Sequence, residues 1–408
     1  MFYFYIPTMI CLNMIVKNEK HIIGETLDNL CKYIDFGYWV ISDTGSTDGT
    51  QEYIQEYFRN KKIPGELFED EWVDFSTNRN KAMEHAFNKS DYLFFFDADD
   101  LIRGDFKLPV VLDKDFYSFN FGNYHRICLI NNREHIGKYE GVLHEYFSVK
   151  KPQCSSEIVG GNYNFECRHL GDRSKTPDLY RRDAETLALA FEHEHENMGL
   201  KNRYCFYCAK SYSECNMITE SIEWYEKFLT LHADDQHKYC ACIYLGHIHP
   251  EKSLYYYALA HRYDSTRIEG ITYVMKYYYD NHLHYMVNAL WNKFKDYAML
   301  DTSTRIFLDV SKYAEFEWFN IVSGYYSNDH EGAYESCKRS IKHNFNTQNV
   351  LANLHLYKKQ FDNDCNKEVL KNFLSQHDNY RKWVWVQPDI IKSKDFKKTI
   401  KSWFTPGT

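Results

Sequence analysis

Short apolar runs alternate with amphipathic stretches through the first part of the chain, residues 9–175. Residues 9–16 are apolar enough to form a buried strand, and residues 19–34 place apolar side chains at helical spacing. Further strands are predicted at 39–41, 67–72 and 92–96, and further helices at 50–59 and 76–88. Strands that alternate with helices predict an α/β fold with a mostly parallel sheet.

The pattern changes near residue 180, where helical periodicity replaces the strand signals. Residues 202–231 predict a pair of helices of the tetratricopeptide type, and residues 238–264 repeat the pattern after roughly the ~34 residues typical of such repeats. We therefore expect two domains. An α/β domain covers residues 1–178, and an α-helical domain with degenerate repeats covers residues 179–408.

A cluster of acids follows the predicted strand in YLFFFDADDLI, residues 92–102. Alternation along a strand places Asp97 and Asp99 on the same side. Two carboxylates at this spacing can share one hard divalent cation through their oxygens. The alternative is a helix N-terminus, where acids complement the helix dipole. That alternative does not explain the apolar run that precedes the acids.

A second polar loop, SDTGSTDGT, follows the strand at 39–41 and offers Asp43 and Asp48. A carboxylate here can accept hydrogen bonds from a base edge or a ribose, or the loop is a plain turn before a capped helix. Arg79 lies early in the next predicted helix, where a cation can face phosphate. Ligands of such sheets bind at the carboxyl ends of the strands, so these loops predict one shared site.

The segments VKNE, ISDTGSTDGT, FSTNRNKAMEHAF and FFFDADD, in this order, resemble family 2 glycosyltransferases of the GT-A fold. The resemblance covers residues 9–183 and is greatest to the branch that carries helical repeats after the transferase domain. It implies a nucleotide-diphospho-sugar donor, UDP-linked, with Mn²⁺ or Mg²⁺ as cofactor. It also implies inversion at the anomeric carbon and a glycan or protein as acceptor.

The resemblance also implies roles for particular residues. Asp97, Asp99 and His169 match metal ligands, and Asp97 also matches a contact to the ribose or sugar of the donor. Glu145, in GKYEGVLHEYF, is the candidate general base. The segment ECRHLGDRSKTPDLYRRDAETL resembles the one that closes over the diphosphate. The implied contacts to the donor are Glu19, Asp43, Asp48, Arg79, Asp97, Arg173 and Lys175.

Two other functions fit parts of the sequence. A degenerate transferase could serve as a scaffold, because helical repeats form extended concave binding surfaces. A sugar nucleotidyltransferase uses a related sheet but needs a glycine-rich, basic first loop, which residues 14–19 do not provide. Many relatives have a second acid at the position of Thr44. This difference affects the expected nucleotide base more than the expected catalysis.

Composition limits the binding partners and the cellular compartment that we expect for this protein. A net charge of -8 argues against a nucleic-acid partner, which would favour a basic surface. The 12 cysteines are scattered singly, as in proteins of a reducing compartment, so we expect a cytoplasmic protein. No apolar run reaches the ~18 residues of a membrane span. Residues 390–404 form a basic amphipathic stretch that either lies on an anionic membrane surface or packs as a terminal helix, and the second is favoured.

Overall fold

The structure is a computed structural model that describes residues 8–122, 124–176, 178–297, 305–345, 349–350, 353–357 and 359–360. The basic stretch 390–404 lies outside these residues, so its two alternatives remain open. The described residues form two compact units, one within Met1–Ala233 and Thr302–Ile306, the other within Asp234–Asp301 and Phe307–Thr408. The first unit extends past residue 178, and the domain boundary at that residue remains a prediction.

The strands of the described residues are β1 (Ile10–Val16), β2 (Phe36–Asp43), β3 (Gly65–Glu69), β4 (Tyr92–Phe95), β5 (Leu101–Gly104), β6 (Phe116–Asn120), β7 (His125–Asn131), β8 (Gly137–Glu140), β9 (Tyr146–Val149), β10 (Ser156–Ile158) and β11 (Tyr163–Glu166). The helices are α1 (Ile23–Tyr33), α2 (Thr50–Lys61), α3 (Phe75–Ala86), α4 (Leu179–His193), α5 (Met198–Glu214), α6 (Ile218–Thr230), α7 (Asp235–Ile248), α8 (Ser253–Tyr263), α9 (Glu269–Asp280), α10 (His284–Phe294), α11 (Ser311–Tyr326) and α12 (His330–Lys342).

The main sheet has seven strands in the order β10-β6-β7-β4-β1-β2-β3. Strand β1 runs parallel to both β2 and β4, and β2 runs parallel to β3. Strand β7 is antiparallel to its neighbours β4 and β6. The α/β fold with a mostly parallel sheet is thus confirmed. The carboxyl ends of β1, β2 and β4 lie at one edge, because these strands are parallel neighbours.

Helix α1 begins later than the sequence pattern predicts, at Ile23 rather than near residue 19. The carbonyl oxygen of Glu19 accepts hydrogen bonds from the amides of Ile22 (2.9 Å) and Ile23 (2.8 Å), which closes a turn before the helix. The amide of Glu19 donates to Oγ1 of Thr50 at 2.9 Å. Residues 17–22 therefore form a loop at the sheet edge, where Glu19 can belong to a site.

Aromatic side chains fill the space behind β4 and fix where its polar end emerges. Phe94 and Phe96 are fully buried, and their ring centroids lie 5.9 Å apart. Phe165 packs edge-on against Phe96 at 5.5 Å and stacks with Phe119 at 5.3 Å. Such packed aromatic contacts leave the strand little freedom to shift. The acids that follow Phe96 are therefore held at a rigid strand end.

From residue 179 onward the described residues are mainly helical, as predicted. Helices α5 and α6 form the first predicted pair, and α7 and α8 form the second. Helices α4, α5 and α6 belong to the first compact unit. The tetratricopeptide type of these pairs remains a prediction. Among the described helices, none has the length and apolar character needed to cross a bilayer.

We predict that Phe94→Ala lowers the free energy of unfolding by about 3–5 kcal/mol, because it empties a fully enclosed site among aromatic rings. Urea unfolding of the intact chain, followed by circular dichroism, measures this loss. Leu189→Ala on α4 is the matched control, since Leu189 is 63% exposed. An equal loss in the two variants would contradict the packing described here.

Candidate active site

Asp97, just past the end of β4, lies between two arginine side chains. Nη2 of Arg79 donates to Oδ1 of Asp97 at 2.6 Å, and Nη1 and Nη2 of Arg126 each lie 3.2 Å from Oδ2. Burial alone would raise the pKa of Asp97, but the two guanidinium groups outweigh it and hold that pKa well below its usual range. Asp97 is therefore ionised at neutral pH.

Arg79 also contacts the candidate base. Its Nε donates to Oε1 of Glu145 at 2.7 Å, so one guanidinium group joins Asp97 to Glu145. The side chains of Arg79 and Glu145 are only 12% and 14% exposed. The ring of Tyr139 lies 5.3 Å from the guanidinium carbon. A planar guanidinium with several fixed donors suits such a bridge, whereas a lysine would offer one point charge.

The start of α3 fixes the direction of Arg79. Oδ1 of Asp74 caps the helix by accepting from the amide of Thr77 at 2.7 Å. The buried side chain of Asn78 accepts from the amide of Val73 at 2.9 Å and donates to the carbonyl of Glu71 at 3.0 Å. These bonds attach the loop after β3 to the first turn of α3, from which Arg79 projects.

Asp43 ends β2 with one satisfied oxygen and one unsatisfied oxygen. Oδ1 accepts from the amides of Gly45 (2.9 Å) and Ser46 (2.8 Å) and from Nε2 of Gln51 (3.1 Å). Oδ2 is buried and has no hydrogen-bond partner among the described residues. A buried acceptor without a donor costs about 1–3 kcal/mol, so this oxygen indicates a place for a ligand donor group.

Asp48 serves the turn before α2. Its Oδ1 accepts from the amide (3.0 Å) and hydroxyl (2.5 Å) of Thr50, and its Oδ2 accepts from the amide of Lys20 at 3.2 Å. Burial opposes ionisation, but these hydrogen bonds lower the pKa of Asp48. In the structure Asp48 stabilises the turn before α2, which is one of the two roles that the sequence allowed. Its contact with the nucleotide-sugar donor remains a prediction.

Glu19 is a second buried acid with an unpartnered oxygen. Its Oε1 accepts from the amide of Asp172 at 3.2 Å, while Oε2 has no hydrogen-bond partner among the described residues. Burial raises the pKa of Glu19 despite the Asp172 amide, and the charge of Asp99 adds to the increase. A Cβ atom at Gly171 would lie 3.0 Å from Oε1, so a larger residue there would crowd the carboxylate.

The segment after β11 lies against Asp99. Oδ2 of Asp99 accepts from the amides of Leu170 (2.8 Å) and Gly171 (3.0 Å), and its carbonyl accepts from Nε of Arg168 at 2.7 Å. His169 has a left-handed backbone with φ +53°, and it is exposed. One carboxylate oxygen of Asp99, Oδ2, is therefore occupied by backbone donors in this arrangement.

The three predicted metal ligands do not come together as a metal site. Both oxygens of Asp97 accept from arginines, Oδ2 of Asp99 accepts from backbone amides, and His169 is exposed. Within the described ranges, no group of three or more His, Cys, Asp or Glu side chains is placed to hold an ion. The residues as arranged do not fit a bound cation, and their role as ligands remains a prediction.

The two predicted phosphate contacts also have partners of their own. Arg173 lies 5.1 Å from the ring centroid of Phe75 and pairs with Asp183 on α4. Nζ of Lys175 lies 3.1 Å from Nε2 of His21. Their contact with a diphosphate therefore remains a prediction, and for Arg173 it would compete with the Asp183 carboxylate.

Two residues of this cluster are absent from the predicted set. Arg126, near the start of β7, pairs with Asp97 and lies 4.4 Å from the ring centroid of Phe121. The available signal was a charged residue at the start of the apolar run RICLI. Asp100 is buried, and burial followed by the charge of Asp97 raises its pKa to about 8, against the effect of Arg126. Asp100 is therefore harder to ionise than its neighbour Asp97.

Residues 11–139 match the model of glycosyl transferase family 2, a segment that runs from β1 into β8. This match confirms the predicted enzyme class, a glycosyltransferase, and covers under half of the chain. Asp43, Arg79 and Asp97 lie inside the matched segment, and Glu145 lies outside it. A search of curated proteins gives no match.

Solved structures with some similarity include S. aureus TarS and a mannosyltransferase. Residues 1–349 of S. aureus TarS are 12% identical over 61% of this chain and 83% of that chain, with a TM-score of 0.31. The mannosyltransferase PcManGT from Pyrobaculum calidifontis, in complex with GDP-Man and Mn²⁺, is 14% identical over 52% of this chain and 76% of that chain, with a TM-score of 0.30.

We predict strong energetic coupling between Arg79 and Glu145. Free energies of unfolding of Arg79→Met, Glu145→Gln and the double variant, from urea titrations, give the coupling as the departure from additivity. We expect about 1–3 kcal/mol, because the contact is largely shielded from water and either single change leaves a buried polar group unpaired.

The matched control for this cycle is Arg181 and Glu185 on α4, whose 3.0 Å contact joins side chains that are 59% and 53% exposed. Solvent screens such a pair, so its coupling should not exceed experimental error. A coupling between Arg79 and Glu145 as small as that of the control would contradict the bridge as a fixed feature of the site.

Proposed function

We propose that this chain transfers a sugar from a nucleotide-diphospho-sugar to an acceptor hydroxyl. The observation that carries the proposal is the bridge from Arg79 to Asp97 and Glu145, which joins the predicted donor side of the site to the predicted base. The match of residues 11–139 to glycosyl transferase family 2 supports a donor of this class.

The donor would bind at the carboxyl ends of β1 and β2. Oδ2 of Asp43 and Oε2 of Glu19 are buried acceptors without partners among the described residues. A ribose hydroxyl or an N–H group on a base edge would donate a hydrogen bond to these oxygens. Donor binding would then remove the free-energy cost of leaving the oxygens unpaired. UDP is the nucleotide we propose, on the resemblance to family 2 glycosyltransferases over residues 9–183.

Glu145 would act as the general base. It would take the proton of the acceptor hydroxyl while that oxygen attacks the anomeric carbon, and the bond from this carbon to the diphosphate would break. The products are a new glycoside and a nucleoside diphosphate, with the proton on Glu145. Attack opposite the leaving group inverts the anomeric centre. Arg79 would orient Glu145 through Oε1 and leave the carboxylate aligned for proton transfer.

The cofactor and the acceptor are proposed from the family resemblance, and the cellular location from the cysteines. Mn²⁺ or Mg²⁺ is the proposed cofactor on the resemblance alone, and Asp97, Asp99 and His169 would have to rearrange to hold it. A glycan or a protein hydroxyl is the proposed acceptor. The cytoplasm is the proposed location, in keeping with the described cysteines, which are free thiols.

We predict that Asp43→Asn weakens donor binding by about 10- to 100-fold, because an amide nitrogen would take the place of one carboxylate oxygen, and within the described residues only Oδ2 is free to accept from the donor. Isothermal titration of UDP, GDP, UDP-glucose and GDP-mannose into the folded chain, with and without Mn²⁺, measures this loss and identifies the base. Asp28→Asn is the control, since the Asp28 side chain is an acid 68% exposed on α1.

Asp99→Ala extends the same titration to the cofactor. If a cation is part of the donor site, Mn²⁺ should strengthen nucleotide binding in the wild type and not in Asp99→Ala. Affinities that are the same with and without Mn²⁺ would remove the metal from the proposal. No binding of any nucleotide by folded wild type would overturn the transferase and leave a helical-repeat scaffold as the better account.

A further inference from the structure

The loop between β8 and β9, which ends in Glu145, contains two residues in the left-handed region. Gly141 has φ +109° and His144 has φ +51°. Glycine takes this conformation freely, whereas a histidine held there costs on the order of 1–3 kcal/mol and persists only where its surroundings hold it. Some other part of the molecule must therefore fix His144, the residue directly before the candidate base.

Helix α5 supplies those contacts. Nε of Arg203 donates to the carbonyl of His144 at 2.8 Å, and the amide of Val142 donates to the hydroxyl of Tyr204 at 3.2 Å. The ring of Tyr207 stacks on the ring of His144, with centroids 4.0 Å apart and planes 16° apart. Residues three and four apart share a helix face, so these three side chains act on the loop together.

The residue after Glu145 is held by the same helix. The guanidinium of Arg203 lies 5.2 Å from the ring centroid of Tyr146 and 4.7 Å from that of Tyr207. Contacts from α5 thus hold the residues on both sides of Glu145. Glu145 itself is contacted from the sheet side by Nε of Arg79 at 2.7 Å.

We propose that Tyr207, together with Arg203 and Tyr204, is a positioning residue for the transfer reaction. In this view α5 holds the loop in its left-handed form so that Glu145 faces Arg79 and the acceptor hydroxyl. The role in the reaction rests on the proposed function, in which Glu145 is the base. Helix α5 lies outside the segment that matches the family model, so nothing in that match assigns it a part in catalysis.

Two effects of Tyr207→Ala are expected. The amides of residues 141–146 should exchange hydrogen faster, because the ring that covers His144 is gone. The turnover number should fall by about 10- to 100-fold, since a displacement near 1 Å at a reacting group costs up to about 10²-fold. Donor affinity should stay within about twofold, because Asp43, at the end of β2, and Glu19, in the loop after β1, lie outside residues 141–146.

The experiment uses the intact chain and three variants. Tyr207→Phe keeps the stacked ring and should restore both loop protection and turnover. Tyr212→Ala removes a half-buried tyrosine further along α5 and is the matched control. Exchange is read by mass spectrometry, and turnover is read as UDP released from UDP-glucose with water as acceptor, or GDP from GDP-mannose if only guanine nucleotides bind. Donor affinity and melting temperature are measured alongside.

The outcomes separate this inference from the proposed function. Wild-type exchange and turnover in Tyr207→Ala would overturn the inference and leave the transferase intact. A parallel fall of turnover, donor affinity and melting temperature would also overturn it, because that pattern marks a merely structural residue. If wild type neither binds nor hydrolyses a donor, the proposed function fails, and the part of Tyr207 in the reaction fails with it.

Discussion

The bridge from Arg79 to Asp97 and Glu145 is the interaction on which the site depends. A guanidinium group that is largely shielded from water needs paired acceptors, so it constrains the elements that carry them. The aromatic packing behind β4 fixes Asp97, the cap at Asp74 fixes the start of α3, and α5 holds the loop of Glu145. Each of these local structures therefore positions either Arg79 or one of the two acids that its guanidinium contacts.

Charge at the end of β4 is balanced within the protein itself. Two arginines hold the pKa of Asp97 well below its usual range, whereas burial, followed by the charge of Asp97, raises the pKa of Asp100 to about 8. Oδ2 of Asp99 accepts hydrogen bonds from two backbone amides. Donors from two arginines and from the backbone thus contact Asp97 and Asp99 at the end of β4. Acids whose surroundings drive their pKa values apart are typical of sites in which carboxyl groups have different tasks.

Periodicity and strand ends predicted much of the molecule, because both are local properties of the sequence. The order of strands and helices, the change to helices near residue 180 and the placement of Asp43, Arg79 and Asp97 at one sheet edge follow from them. Contacts between residues far apart along the chain cannot be predicted from these local properties. Arg126 pairs with Asp97 across 29 positions, and Arg203 holds His144 across 59. The late start of α1 escaped prediction for the same reason, since Thr50 fixes the preceding turn.

We propose that Glu145 acts in the chemical step while other acids bind the donor. The sharpest test compares donor affinity and nucleotide release in Glu145→Gln and wild type. We expect an unchanged dissociation constant for the donor and a turnover number lower by about 10²–10⁴-fold, the usual contribution of a general base. Wild-type turnover in a folded, donor-binding Glu145→Gln variant would contradict it.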